Sequence, residues 1–168
     1  MKIRAAEIRD VIPLSRVHID SWKTTYKGLL SDKYLESLSY KKKEQLWKQV
    51  IPNGGVFVAE NESGDIIGFA SGGKERTGNY DQFKGELYAI YLLDQYQRKG
   101  IGRKLFKAVV HFLQVQHIDS LVVWVVEGNK SCLFYEAIGG IILDSTEVEI
   151  GGAKVKEILY GWNDIKYL

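Results

Sequence analysis

The first half of the chain alternates between segments with strand periodicity and segments with helical periodicity. KIRAA at 2–6 alternates as a short strand does, and the apolar positions after it recur at helical spacing, which predicts a helix. A second helical stretch covers about 31–51. VFVAE and IIGFAS then predict a β-hairpin with its turn at 61–65, because turn-forming residues separate two short apolar segments.

The second half continues this succession of strands and helices. GELYAIYLL at 85–93 predicts a long strand, and residues 100–115 carry one apolar face with helical spacing. SLVVWVVE at 120–127 is almost entirely apolar, which is typical of a strand covered on both faces. The remaining elements are a short helix closed by the glycines of SCLFYEAIGG and two strands near 140–149 and 153–162. The order β-α-α-β-β-β-α-β-α-β-β predicts an α/β protein with a mixed sheet.

The composition is that of an ordinary globular protein, and we expect residues 1–168 to form one domain. The formal net charge of +2 is too small to predict a nucleic-acid partner. No apolar segment resembles a secretory signal or approaches the length of a membrane span, so we expect no membrane contact. Cys132 is the only cysteine, which excludes an intramolecular disulfide and favours a cytoplasmic location.

The segment YQRKGIGRKLF at 96–106 places two glycines in a basic stretch between a predicted strand and a predicted helix. The first turn of a helix presents unpaired backbone N–H groups and the positive end of its dipole, and glycine allows a close approach. These features favour a phosphate ligand. The segment lacks the last glycine of the dinucleotide fingerprint G-x-G-x-x-G, and the chain contains no P-loop. A simple turn flanked by solvated basic residues is the alternative.

The surrounding motifs resemble those of the GNAT superfamily, the GCN-related N-acetyltransferases. QRKGIG at 97–102 matches the family signature [QR]-x-x-G-x-[GA], and ELYAIYLL is similar to the fourth family strand. LVVWVVEGN and SCLFYEAIGG are similar to the fifth strand and the helix after it. The motifs are specific over about 85–140, and the amino-terminal third matches mainly in layout. The resemblance implies a single-domain GNAT fold with a mixed, mostly antiparallel central sheet of about seven strands flanked by helices, in which the fourth and fifth strands splay.

The resemblance also implies that acetyl-CoA is the cosubstrate and assigns residues to it. The expected diphosphate cradle consists of Arg98, Lys99, Gly100, Ile101, Gly102 and Arg103. A backbone N–H of Leu92 or Leu93, where the fourth strand bulges, would stabilise the thioester oxyanion. Asn129 would hydrogen-bond the pantetheine arm, cap the following helix, or do both.

Acetyl transfer to an amine needs an acid for the departing thiolate and a free amine lone pair. Tyr135 matches the tyrosine that the family places beside the thioester sulfur, and we expect it to be the acid. Ordinary helix packing is the alternative role for this residue.

The general base is less well defined by the sequence. Glu86 lies fourteen residues before Gly100, the position of a catalytic glutamate in similar histone acetyltransferases. Strand alternation would place Glu86, Tyr88, Ile90 and Leu92 on one face, although a bulge would shift that parity. A solvent-facing carboxylate at a strand end, with ordered water carrying the proton, is the alternative.

The acceptor is expected to be a primary amine on a small molecule. By resemblance, the segment DSWKTTYKGLLSDKYL walls the acceptor cleft, and its aromatic residues Trp22, Tyr26 and Tyr34 either line that cleft or pack in the core. A protein or peptide acceptor would need an open groove between the early helices and the final hairpin. A coenzyme-binding regulatory domain without turnover is a further alternative.

Other residues with possible chemistry receive structural roles. We expect His18 and Cys132 to be packed side chains, and no His, Cys or carboxylate cluster has metal-ligand spacing, so no metal is expected. The apolar alternation of the last two strands is compatible with a homodimer formed through the sheet edge.

Overall fold

The computed structural model describes residues 1–168, which form seven strands and five α-helices. The strands are β1 (Lys2–Ala5), β2 (Val56–Glu60), β3 (Ile66–Lys74), β4 (Gly85–Leu92), β5 (Leu121–Val126), β6 (Ile141–Ile150) and β7 (Ala153–Trp162). The helices are α1 (Val11–Thr25), α2 (Asp32–Glu36), α3 (Tyr40–Val50), α4 (Ile101–Val115) and α5 (Ser131–Ala137). The strands form one sheet in the order β1-β2-β3-β4-β5-β7-β6, and β4–β5 is its parallel pair. The expected mixed, mostly antiparallel sheet of seven strands is therefore confirmed.

Helices cover the sheet on two sides because each helix carries one apolar face. On one side, α4 buries residues such as Leu105 and Val109 in a cluster that includes Leu87 of β4. On the other side, α1 and α3 pack Leu14 and Trp47 onto the sheet beside Phe69 of β3. The centre of the sheet is thus shielded from water on both faces. No helix has the length and apolar character needed to cross a membrane.

The second helical stretch of the sequence is divided into two helices. The prediction of one helix over 31–51 is wrong at Ser37–Ser39, which separate α2 from α3. The Ser37 hydroxyl donates to the Tyr34 carbonyl at 2.7 Å, and the Ser39 hydroxyl accepts from the Lys42 N–H at 3.3 Å. These serines offer the backbone local hydrogen bonds that compete with a continuous helix, so α3 begins with its own cap.

Strands β4 and β5 pair only where they begin. The parallel register covers Gly85 opposite Leu121 and Glu86 opposite Val122, and no pairing continues beyond Glu86. On its other edge, β4 stays bonded to β3 along its whole length. The two strands therefore diverge, as the resemblance implied, and leave a gap near the middle of the sheet.

A β-bulge in β4 changes which side chains share a face. Gly72 of β3 pairs with Leu87 and Ser71 pairs with Ala89, so Tyr88 has no partner in the register. Beyond the bulge, Ile90 and Leu92 pack in the cluster under α4, whereas Ala89, Tyr91 and Leu93 pack against the α1 side. The expected alternation from Glu86 through Leu92 on one face is wrong, because the inserted residue reverses the parity between them.

Candidate active site

The gap between β4 and β5 is lined by backbone groups that have no partner in the sheet. The Leu93 N–H donates to the Ile67 carbonyl at 3.0 Å, so strand alternation directs the N–H and C=O groups of Ile90 and Leu92 away from β3 and towards β5. Across the gap, the Glu127 N–H donates to the Lys156 carbonyl of β7 at 2.8 Å, which leaves the backbone of Trp124 facing β4. Buried backbone groups normally find partners, so this gap suits an extended ligand with amide groups.

The same geometry distinguishes between Leu92 and Leu93, the two residues expected to supply the oxyanion hydrogen bond. The Leu93 amide is occupied by Ile67, whereas the Leu92 amide faces the gap. The Leu92 carbonyl accepts from the Gln97 carboxamide at 3.2 Å, which ties the end of β4 to the glycine segment that follows. Leu92 is therefore the better placed of the two donors.

The glycine segment turns directly from this strand end into α4. Gly100 has φ 75° and ψ 0° and precedes the helix, and Arg98 also adopts a positive φ of 58°. The first helical bond runs from the Lys104 N–H to the Gly100 carbonyl, which leaves the amides of Ile101, Gly102 and Arg103 without helical partners. The side chains of Arg98, Lys99, Arg103 and Lys104 are all exposed around this turn.

These features fit a diphosphate. Convergent backbone donors at the start of a fifteen-residue helix attract an anion, and the surrounding basic side chains add to that attraction. Gly102 lies next to the gap, since a Cβ there would be 3.6 Å from the Leu92 Cδ1 atom. A ligand can therefore reach from the glycine segment into the gap without leaving the protein surface.

Tyr135 enters the gap region from the side of α5. The residue is 4% exposed, and its ring packs on those of Phe134, Tyr160 and Trp162. The hydroxyls of Tyr26 and Tyr160 have hydrogen-bond partners, whereas the Tyr135 hydroxyl has none. Burial, with smaller contributions from Tyr26 and Cys132, raises the pKa of Tyr135. The phenol therefore stays protonated at neutral pH and is free to donate.

Asn129 lies at the turn between β5 and α5 and is buried. Its side-chain oxygen accepts from the Ser131 N–H at 2.9 Å, and its backbone carbonyl accepts from the Cys132 N–H at 3.0 Å. Asn129 thus helps to start α5 and fixes the direction in which that helix presents Tyr135. Its contact with the pantetheine arm stays a prediction.

Glu86 occupies a different environment from the one expected for a base. It is 2% exposed, and both of its carboxylate oxygens bind the guanidinium of Arg76, which also donates its backbone N–H to Glu86 at 3.1 Å. The Arg76 guanidinium in turn lies 4.3 Å from the centre of the Tyr88 ring. Glu86 lies where β4 and β5 still pair, about 13 Å along the strand from Ile90. Its role as a base stays a prediction, and its contacts favour an anchor for the loop before β4.

The α1 side of the gap is lined by aromatic residues. The Tyr26 hydroxyl, at the end of α1, lies 2.8 Å from the Tyr91 hydroxyl of β4. Tyr26 also packs with Val126 of β5, so this side chain bridges the two diverging strands. Trp22 packs on Tyr26 with ring centres 4.8 Å apart. The sequence offered no separate signal for Tyr91, because the bulge that turns it towards α1 is not visible in the strand pattern.

Two further residues behave as the sequence indicated. His18 is surrounded by the rings of Trp22, Trp47, Phe69 and Tyr91, and burial together with the charge of Lys43 lowers its pKa to about 3. Burial raises the pKa of the Cys132 thiol, which disfavours the thiolate that a nucleophile needs. No group of three or more His, Cys, Asp or Glu side chains is arranged to hold a metal ion.

Comparisons with known proteins agree with this geometry. Residues 19–139 match the model of the Acetyltransferase (GNAT) family. An uncharacterized N-acetyltransferase of Bacillus subtilis is 42% identical over 166 residues, which span 99% of this chain and 95% of that protein. A spermidine N(1)-acetyltransferase of Thermoplasma acidophilum is 32% identical over 111 residues, which span 62% of this chain and 65% of that protein.

A solved structure extends the comparison to the whole fold. The crystal structure of an N-acetyltransferase from Thermoplasma acidophilum in complex with coenzyme A has a TM-score of 0.73 and 25% identity, over 93% of this chain and 96% of that chain. The glycine segment, the diverging strands and these matches together place the chain in the GNAT family of acetyltransferases, as an acetyl-CoA-dependent N-acetyltransferase.

Proposed function

We propose that the protein transfers the acetyl group of acetyl-CoA to a primary amine of a small molecule. The observation that carries this proposal is the closure of the gap on the α1 side. The segment from the end of α1 through α2 packs against β5 and against the final hairpin, so this side of the gap is covered by the protein. A peptide acceptor would need an open groove at this place.

The closure depends on specific contacts. Leu30 and Leu35 are buried with Val126 of β5. The Tyr34 ring lies on the turn between β6 and β7, so close that a Cβ at Gly151 would be 2.3 Å from the Tyr34 Cγ atom. A large substituent at Gly151 would therefore push α2 away from the hairpin.

The cosubstrate is held by the groups on the other side. The free amides of residues 101–103 and the cations Arg98, Lys99 and Arg103 bind the diphosphate, and the backbone edge of Ile90 binds the pantetheine amides. The Leu92 N–H, which faces the gap, donates to the negative charge that develops on the thioester oxygen. Acetyl-CoA supplies the activated acyl group, and the protein orients it.

Proton transfer is assigned to Tyr135 and solvent. The ammonium of the acceptor first loses one proton to water, which frees a lone pair. As the N–C bond forms and the C–S bond breaks, the Tyr135 hydroxyl gives its proton to the departing sulfur. The phenolate then takes the second proton that the new amide nitrogen releases. One ammonium and one thioester thus yield one amide, one thiol and one proton.

The relative named for spermidine supports a small-molecule amine, because the acceptor named for it is a small aliphatic amine. The cytoplasmic location and the homodimer expected from the sequence stay predictions.

The test is acetyl-CoA turnover against pools of amines that include polyamines, amino acids, aminoglycosides and short peptides, with products identified by mass spectrometry. We expect an acetylated small-molecule amine. Acetylation confined to peptides would overturn the small-molecule acceptor, and absence of any product despite coenzyme binding would overturn the enzymatic role.

A further inference from the structure

A half-buried carboxylate at the edge of the gap is used by none of the roles assigned above. We propose that Glu157 binds an ammonium group of the acceptor, which selects amines that carry no carboxylate beside the amino group. This inference rests on the proposed function and adds the acceptor class to it.

The position of Glu157 follows from the strand register. Glu157 of β7 lies directly opposite Val126 of β5 and Thr146 of β6. Directly opposite residues of antiparallel strands share a face, so Glu157 projects to the side on which Val126 packs with Tyr26. The charge of Glu157 also acts on the ionisation of Tyr26, which places the two groups close together. Glu157 therefore lies beside the residue that bridges the diverging strands.

Glu157 differs from the neighbouring carboxylates because it has no partner. Glu127 binds Lys156 at 3.0 Å, and Glu147 binds Lys154 at 3.2 Å. Glu157 makes neither an ion pair nor a hydrogen bond, although it is less exposed than either of them. Burial raises the pKa of Glu157, with no contribution from a nearby cation. A carboxylate kept partly out of water without a counter-charge costs stability, which is expected where a ligand supplies that charge.

The groups around Glu157 suit a cation. Val126 and Thr146 face it from the neighbouring strands, and Tyr26 faces it from α1; none of them is positively charged. Tyr26 is also an aromatic residue, a type of side chain that tolerates and attracts an ammonium group. Lys43 of α3 is the cation beside the neighbouring aromatic residues, and its ammonium lies 5.4 Å from the centre of the Trp22 ring. An amino acid would bring its own carboxylate towards Glu157 and be repelled.

The test compares two amines that differ by one carboxylate. 1,4-Diaminobutane and ornithine are titrated calorimetrically into the full chain saturated with coenzyme A, for the wild type, Glu157→Gln and Glu149→Gln. Glu149 is an exposed carboxylate of the same hairpin and serves as the matched control. We expect the wild type to prefer diaminobutane, and Glu157→Gln to bind it at least about tenfold more weakly. The control should bind as the wild type does.

A second readout separates recognition from folding. Because Glu157 is a partly buried carboxylate without a partner, Glu157→Gln should not lower the melting temperature. Equal affinity of wild type and Glu157→Gln for diaminobutane, preference for ornithine, or no binding of either amine by the wild type would each overturn the inference.

Turnover measured in parallel by thiol release separates this inference from the proposed function. Acetylation of diaminobutane with an unchanged KM in Glu157→Gln would overturn the inference and leave the function in place. Binding that depends on Glu157 without any acetyl transfer would overturn the function and leave the recognition site in place.

Discussion

The two ends of the β4–β5 pair differ in whether their polar groups have hydrogen-bond partners. At the closed end, the strands pair at Gly85–Glu86, and the buried Glu86 carboxylate is bound by Arg76 through both oxygens. At the open end, the Leu92 amide faces the gap, and the Tyr135 hydroxyl and the Glu157 carboxylate lack partners. The polar groups therefore have partners at one end of this parallel pair and lack them at the other, where we propose that the ligands bind.

The difference indicates where function and stability reside. Satisfied buried groups hold the strands in register, and their loss should appear as lower stability. Groups left free cost some stability in the unliganded protein, and their loss should appear in binding or rate. Substitutions at the two ends should therefore give different signatures.

The largest effect is expected for Tyr135→Phe, which removes the proposed proton donor from the open end. We expect kcat to fall about 100-fold, or about 2.7 kcal/mol, while coenzyme A affinity stays unchanged. Steady-state kinetics and calorimetry measure the two quantities. Tyr160→Phe is the control, because its hydroxyl binds Glu136 and its ring packs on Tyr135. A kcat within about threefold of the wild type would make Tyr135 a packing residue.

The pH dependence of the wild type should reflect the same acid. Because burial raises the pKa of Tyr135 above its ordinary value of about 10, the donor stays protonated through the alkaline range. We expect no loss of kcat from its deprotonation between about pH 7 and pH 9. A decline in that range which disappears in Tyr135→Phe would contradict the raised pKa.

A smaller effect, on stability, is expected for Arg76→Ala at the closed end. The variant leaves the Glu86 carboxylate buried without its cation; since Arg76 itself is largely exposed, we expect a loss of about 2 kcal/mol. The melting temperature should fall by about 4–8 °C, with kcat little changed. Arg9→Ala, at the exposed pair with Glu7, should change stability by less than about 0.5 kcal/mol.

Glu86→Gln distinguishes an anchor from a base. If Glu86 is an anchor, the variant should be less stable than the wild type and keep its turnover. A fall in kcat of about 100-fold in a variant of unchanged melting temperature would instead identify Glu86 as the base.

The smallest effect is expected for Gly100→Ala. A Cβ would meet open space there, so the cost arises from the positive φ and should be about 1 kcal/mol of stability. Coenzyme A should bind a few-fold more weakly, because the amides at the start of α4 lose their alignment. Gly78→Ala has the same type of φ and open space in the loop before β4, so it should lose stability alone. Equal coenzyme affinity in both variants would argue against the cradle.

Much of the fold was predictable because its signals are local. The apolar face of α4, the apolar run of β5 and the glycines around α5 are each formed by residues close together in the sequence. The bounds of these elements were therefore predicted to within a few residues. The boundary between α2 and α3 was not predicted, because the two serines that create it act through individual side-chain hydrogen bonds rather than through periodicity.

The site divides in the same way. Residues 97–102 and Tyr135 belong to short motifs, so their resemblance to GNAT proteins was visible in the sequence alone, and the roles expected from it stay predictions. Tyr91, which lies at the gap, and Glu157, which we propose to bind the acceptor, were not singled out, since a single glutamate on a strand and a tyrosine within an apolar strand have no local pattern that marks them. Tyr26 was left between core and cleft, and its hydrogen bond to Tyr91 places it at the gap.

The sequence by itself determined the order of the elements, the family and the glycine turn before α4, because helical and strand periodicity and the conformational needs of glycine are properties of neighbouring residues. Only the tertiary structure decided which backbone amides stay free, which carboxylate is paired and which is not, and which face each residue of β4 presents. These depend on one inserted residue at Tyr88 and on contacts between elements far apart in the chain, such as Glu157 of β7 beside Tyr26 at the end of α1, whose energies arise only once the sheet and its helices have packed.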